Sequence, residues 1–426
     1  MALFRRKKIE PPTAEEEAPL RLPGAPADDV NGRRGLEVHR DFLVSAVRPL
    51  TPFGLSIGDA LGLELCEDVP APTDVPHLTT AAIDGFAFDS ATTTRAGNPY
   101  PVHLQIDRRP PRPVLQGTAV SVRAGAELPD GTDCVVGPEV LDEDGKVTVT
   151  EPVPAWSGCR LAGSDFAGGE VIAPQGSHLN PGRIALLAAA GVDKVFARPR
   201  PRVVVLGTGG GEHPDGEDVP QLDATAQIVA AAARNTGSHV WLVDARDSEP
   251  DELRETVTDQ LIRADLLLST SDRMVATEPD PVGSLLPELG ATDFCQVAMT
   301  PGSYQGFGLI GPELVPVMVL PPGPGAALAA FHAFARPVLN KLAGGAPRSW
   351  EIAAEAGSLV AEASDLASFV PVRLEERNGR VIASRAGHGD PARLADLAMS
   401  DALAVIPTGS RIDVGDDVTC WSLGRS

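Results

Sequence analysis

A chain of 426 residues has the length for about three domains, each able to bury a core of its own. Lys and Arg number 36 against 58 Asp and Glu, and the resulting net charge of −22 repels phosphate backbones, which excludes non-specific nucleic-acid binding. Five scattered cysteines (Cys66, Cys134, Cys159, Cys295, Cys420) without a C-x-x-C pair imply neither a disulfide framework nor a structural zinc site, and a reducing cytoplasm is the expected compartment.

Residues 1–35 mix a basic cluster (Arg5, Arg6, Lys7, Lys8), an acidic cluster (Glu15, Glu16, Glu17), prolines and glycines without hydrophobic periodicity, the composition of a disordered tail. The opening MALFRRKKIE lacks the apolar core and cleavage site of a signal peptide, so secretion is not expected. From Glu37 to Pro49 the residues Val38, Phe42, Leu43, Ala46 and Val47 recur at helical spacing and predict an amphipathic helix. Gly54 to Val69 reads as strand, helix and strand. Between Phe86 and Glu151, alternating apolar residues divided by Pro129-Asp130-Gly131 and Asp142-Glu143-Asp144-Gly145 predict a small β domain.

Asn180-Pro181 starts an Ala/Leu-rich helix that Gly191 ends. From Arg202 the pattern changes. Apolar runs (VVVLGTG, HVWLVDA, DLLLST, VPVMVLP) alternate with helical ones (TAQIVAAAARNTG, DELRETVTDQLIRA, AALAAFHAFARPVLNKLA). Strands of continuous Val/Leu character between helices predict a parallel sheet covered on both faces. Ligands of such sheets bind beyond the carboxyl ends of the strands, which places GTGGGE, STSDRMVATEPD and LPPGPG along one crevice. Beyond Gly344-Gly345 the short runs FVPVRLEE, RVIASRA, ALAVIPTG and DVTCWSL predict a terminal β barrel. Leu314 to Ala335, the longest uncharged stretch, carries four prolines and two glycines, so no membrane span is expected.

Two chemistries find little support. The eight histidines are dispersed without H-x-x-x-H spacing. One G-x-S-x-G occurs at Gly54-Leu55-Ser56-Ile57-Gly58, but no buried strand precedes it, so Ser56 reads as a turn or helix-entry residue and not as a nucleophile.

The strings TTAAIDGFAF, RAGAELPDGTDCVV with Glu139, GSDFAGGEVIAPQGSHLNPGRIALLAAAGV with RPRPRVVVLGTG, VAMTPGSYQGFG, LPPGPG and RPVLNKLAG follow one another from Glu37 onward. Together they resemble the molybdopterin molybdenumtransferases, including the E domain of gephyrin. The resemblance implies an α/β plus β fold: an elongated multidomain arrangement with a doubly wound parallel α/β domain, an inserted small β domain and a C-terminal β barrel. On this basis residues 1–35 are a tail, 36–85 with 152–200 a split linker or dimerisation domain, 86–151 the inserted β domain, 201–345 the molybdopterin-binding-like α/β domain and 346–426 the barrel. The family inserts molybdate into adenylated molybdopterin (molybdopterin-AMP) with Mg²⁺, hydrolysing the adenylate. That chemistry calls for carboxylates that hold a hard cation and amides or cations that receive anions.

Asp84 in IDGFAF, Asp165 in GSDF and Asp223 in QLDAT match the family's acidic positions, with Glu212 a fourth candidate; Asp84 and Glu212 are the implied metal ligands. Each Asp is equally readable as a turn or capping residue. The cofactor-binding positions Thr208, Gly209, Gly210, Pro321 and Pro324 are expected only as vestiges, because the site loops depart from the family together. S-T-G-D-E-L has become Gly207-Thr208-Gly209-Gly210-Gly211-Glu212. S-G-G-V-S-x-G-D has become Thr270 to Thr277, with Asp272 placed where a pterin phosphate is bound. M-K-P-G-K-P has become Met299-Thr300-Pro301-Gly302-Ser303-Tyr304, and each lost lysine costs about 1–3 kcal/mol of charge-assisted hydrogen bonding.

These losses point to a non-catalytic, gephyrin-like homodimeric adaptor with no cofactor, the molybdenumtransferase reaction being the alternative. By resemblance, Phe42, Pro407 and Ile412 form the peptide-binding surface. The implied partners, as in gephyrin-like proteins of corynebacterial cell division, are the C-terminal tail of a tubulin-like division protein and the cytoplasmic segment of a membrane receptor. The expected location is then the cytoplasm, with recruitment to the division septum or the inner membrane face.

Overall fold

The computed structural model describes residues 22–97, 99–108, 113–141, 145–209, 222–246, 248–271, 280–344 and 350–424. The candidates Gly210 and Glu212, and the altered loop position Asp272, lie outside the described residues. The chain divides into two compact units, one of residues 51–199 and one of residues 1–50 with 200–426.

In the first of these, Gly85–Phe88 lies between Cys134–Val136 and Thr118–Val122 in a five-stranded sheet completed by Val102–Ile106 and Val147–Val149. Phe86, Phe88, Leu104 and Val147 fill its core. The sheet approaches so closely at Gly85 that an added Cβ would sit 1.8 Å from the Val136 carbonyl oxygen, so only glycine fits. A second core gathers Leu65, Val75, Ile172, Leu179, Leu187 and Val195. Its helix, Pro181–Ala189, starts where the Asn180 side chain accepts from the Arg183 amide at 2.9 Å. The helix expected between Gly54 and Val69 is absent among these residues. Phe53–Ser56 pairs with Lys194–Ala197, and turns follow, with Gly62 at φ 78° closing them. Ser56 closes the first turn by donating to Asp59 Oδ2 at 2.7 Å and accepting from its amide at 3.2 Å, the turn role expected of it.

The other unit is built on a six-stranded sheet in the order His239–Asp244, Arg202–Gly207, Leu266–Thr270, Val315–Val319, Tyr304–Ile310, Gly290–Gln296. The first four strands are parallel, Tyr304–Ile310 runs against them, and Gly290–Gln296 pairs antiparallel with it. Val203, Val204, Val205 and Leu206 are all fully buried, because helices cover both faces of the centre. Ala224–Asn235 and Pro324–Ala330 pack on one face with the first helix, and Pro250–Leu261 and Pro281–Leu289 on the other. His239–Asp244 departs from the expected buried strand: it is an edge strand, with Trp241 and Leu242 exposed. The long Ala-rich run is helical with a π-turn at Phe331–Ala335, just before Pro337, where the wider turn accommodates a residue that cannot donate.

The C-terminal strands Ala367–Arg377, Arg380–Arg385, Glu351–Ala356, Asp417–Ser422 and Ala402–Ile406 pair in that order, and the last closes on the first to make a five-stranded barrel. Asn378 and Gly379, both at positive φ, form the two-residue turn of its longest hairpin. Within the expected tail, residues 22–35 are folded: Leu22 and Arg34 are buried, and Arg34 donates its amide to Gln296 O at 2.8 Å. Among the described residues no helix is long and apolar enough to cross a membrane.

Candidate functional site

In the six-stranded sheet the chain moves outward in one direction from Arg202–Gly207 to His239–Asp244, then crosses to Leu266–Thr270 on the other side. This reversal falls at the carboxyl ends of the two central strands, the place where ligands of doubly wound sheets bind. Thr208 ties those ends together: its amide and Oγ1 both donate to the Thr270 carbonyl, at 2.9 and 3.1 Å.

Asp223 stands at the same edge. It caps the helix Ala224–Asn235 by accepting from the Ala226 amide at 2.9 Å, and its other oxygen receives Thr270 Oγ1 in a long contact of 3.5 Å. Gly207 makes this possible, since a Cβ there would lie 2.9 Å from Asp223 Oδ2. Gly209, the next residue, is buried. Pro321 continues the neighbouring strand Val315–Val319, and Pro324 opens the helix behind Gly323, whose φ of 87° makes the turn. Thr208, Gly209, Asp223, Pro321 and Pro324 therefore share one edge of the sheet.

Asp84 and Asp165 belong to the other unit and lie on different turns. Thr80–Ala81 pairs antiparallel with Cys159–Arg160, and the two acids leave opposite ends of that ladder. Asp84 accepts from the Ala124 amide at 2.8 Å, and Asp165 is ion-paired with Arg160. Both carboxylates thus hold turns together.

One residue of the crevice escapes the sequence reading. Asp280, 3% exposed, caps Pro281–Leu289 by accepting from the Gly283 amide at 2.6 Å, on the helix that follows Leu266–Thr270. Its signal was present as an acid directly before a proline at a helix start. The hydroxyl of Ser269, fully buried at the end of that strand, has no hydrogen-bond partner.

A separate cleft of about 1020 Å³ lies between the start of Leu36–Ala46 and the barrel, and Pro407 and Ile412 both line it. Glu37, Glu351, Asp416 and Asp417 line it together with Arg40 and Arg411. Phe42 corrects the expectation that grouped it with them. It does not line this cleft; it is turned into the core, edge-on to Phe307 at 6.2 Å between ring centres. The helical period places Phe42 on the same stripe as His39 and Leu43, and that stripe faces inward.

Residues 35–191 match the MoeA N-terminal region (domain I and II), and residues 353–423 match the MoeA C-terminal region (domain IV). Molybdopterin molybdenumtransferase 1 of Mycobacterium tuberculosis is 31% identical over 410 residues, which cover 88% of this chain and 96% of that protein. The molybdopterin molybdenumtransferase of a Nostoc species is 29% identical over 389 residues, covering 85% and 87%. A crystal structure of a molybdopterin biosynthesis MoeA protein from Pyrococcus horikosii matches with a TM-score of 0.70 at 24% identity, across 92% of this chain and 99% of that one. The fold is thus the multidomain α/β arrangement with a closed terminal barrel that the MoeA structures share. The chain belongs to the molybdopterin molybdenumtransferase family.

Proposed function

We propose that this chain carries out the reaction for which its relatives are named, inserting molybdate into adenylated molybdopterin with Mg²⁺ and hydrolysing the adenylate. The observation that carries this reading is Asp223. Its carboxylate is held by the Ala226 amide and by a long contact from Thr270 Oγ1 at the strand-order reversal, where Thr208 also bonds to Thr270. A half-buried carboxylate there suits a hard divalent cation, which when bound neutralises phosphate charge. Asp223 would supply an oxygen to it, with Thr270 and the helix start setting the direction of the carboxylate. Thr300 and Ser303, where the family has lysines, weaken anion binding by about tenfold to a hundredfold each without removing this arrangement.

The test is direct. Full-length protein supplied with adenylated molybdopterin, molybdate and Mg²⁺ should release AMP and form molybdenum-loaded pterin. Folded protein that releases no AMP at saturating substrate refutes the proposal.

The cleft beside Pro407 and Ile412 favours a second reading. In it, a homodimeric gephyrin-like adaptor, akin to those of corynebacterial division, binds the tail of a tubulin-like protein or a receptor's cytoplasmic segment, works in the cytoplasm and is recruited to the septum. The split segment 36–85 with 152–200 then serves dimerisation. A lining that mixes acidic and basic side chains with Leu36, Val38, Val405 and Pro407 suits an extended peptide. A synthetic tail peptide should bind in titration calorimetry and be lost on Pro407→Glu; unchanged binding by that variant overturns this reading.

A further inference from the structure

A second cluster of ionisable groups lies far along the sheet from the strand-order reversal. Asp293 and Cys295 are two residues apart on Gly290–Gln296, so their side chains leave the same face of the strand. His39 comes down on them from Leu36–Ala46. Backbone bonds hold the helix start in register: Arg34 N donates to Gln296 O, and Ala298 N donates to Arg34 O, both at 2.8 Å. His39, Asp293 and Cys295 are 1%, 7% and 5% exposed.

We propose that His39 Nδ1, Cys295 Sγ and a carboxylate oxygen of Asp293 form a buried site for a divalent transition metal of the zinc class. Nδ1 and Sγ are 3.7 Å apart, and the three residues each place one ligand atom within 4.8 Å of the other two. Zinc–nitrogen and zinc–sulfur bonds of about 2.0 and 2.3 Å at a tetrahedral angle put those two atoms about 3.5 Å apart, so the pair needs almost no movement. Imidazole, thiolate and carboxylate are also the donor set that zinc takes, whereas calcium and magnesium take oxygen alone.

The surroundings support the same assignment. Arg34 grips both oxygens of Asp293, with Nη2 to Oδ1 at 3.0 Å, and its Nε donates to Asp28 at 3.0 Å. Each carboxylate oxygen keeps a further lone pair, so Arg34 acts as the outer partner that orients a metal-binding acid. Phe42 and Phe334 pack around the imidazole and shield it from water.

The experiment uses the intact chain, stripped with chelator and then given one equivalent of Zn²⁺ or Co²⁺. Elemental analysis should find one metal per chain, and the cobalt form should show the near-ultraviolet thiolate-to-cobalt charge-transfer absorption. Cys295→Ser should abolish that band, and His39→Gln should weaken zinc binding at least a hundredfold. Arg34→Lys should weaken it about tenfold to a hundredfold, as loss of an outer-shell partner does. Intact protein that retains no metal, or binds cobalt without a sulfur band, overturns the proposal whether or not the variants fold. So does a band that persists in Cys295→Ser.

Discussion

His332 provides a sharp test of how the buried helix and barrel are held together. It is 3% exposed on the π-turn, and its Nδ1 accepts from Arg336 Nη1 at 3.3 Å while the ring stacks on Trp421. Arg336, itself buried, also donates to the Ser422 carbonyl at 3.2 Å and lies over Trp350, with Cζ 4.6 Å from the ring centre. A proton on His332 would remove the acceptor and set a second cation against the guanidinium. Burial first, and then Arg336, push its pKa down to about 3. Because the folded value is below the unfolded one of about 6.5, the neutral ring contributes its full stability above pH 6.5 and loses it progressively as the pH falls toward about 3. Between about pH 6.5 and about pH 5 that loss amounts to about 2 kcal/mol, at about 1.4 kcal/mol per pH unit. His332→Gln keeps an acceptor but cannot titrate. Urea unfolding followed by tryptophan fluorescence across this range should show the wild type losing about 2 kcal/mol more than the variant. Parallel pH profiles for the two proteins would refute the reasoning.

Other consequences are as direct. Gly325→Ala should lower the melting temperature although alanine is the better helix former by about 1 kcal/mol, because its Cβ would sit 1.8 Å from the Pro391 carbonyl oxygen and over-packing costs about 1–3 kcal/mol or more; a raised melting temperature contradicts this. Phe42→Ala should cost about 3–5 kcal/mol in denaturant unfolding, as for an aromatic core residue, and an unchanged midpoint returns Phe42 to the surface. Asp223→Asn retains a good helix cap and should change stability by less than about 0.5 kcal/mol while AMP release falls, whereas Asp223→Ala should lose about 1 kcal/mol of stability as well. Normal turnover by Asp223→Asn removes the carboxylate from the mechanism.

The central strands were legible because burial on both faces leaves continuous runs such as Val203 to Leu206, which no helix period explains. The same reading misplaced His239–Asp244, since an edge strand can carry Val240, Leu242 and Val243 without being covered on both sides, and hydrogen-bond position leaves no mark on composition. The antiparallel addition was less visible still. Gly306 is there because a Cβ would meet Phe294 at 2.5 Å, a cross-strand fit that appears in sequence only as a glycine inside an apolar run. Asp223 could be read as a cap from its place before an Ala/Val helix. The cluster of His39, Asp293 and Cys295 could not, because its members come from segments about 250 residues apart and only Asp293 and Cys295 share a local spacing.

The altered loops and the preserved scaffold answer to different energies. The fold draws its stability from buried apolar residues such as Val205, Leu268, Met318 and Phe331, none of which faces the crevice from a loop. Thr300 is exposed and Ser303 only part-buried, so exchanging a lysine for either leaves that core untouched while removing a charge that only a bound anion would feel. Under the proposed function, loss of cations weakens substrate capture without dismantling the Asp223–Thr270–Thr208 arrangement, which depends on its own hydrogen bonds and on Gly207. Gly207 serves the scaffold as well as the acid, since a Cβ there would also lie 3.1 Å from the Ala226 methyl. On the proposed reaction, weakened anion binding appears as a high KM with measurable kcat, and that combination separates the chain from one that only binds peptides.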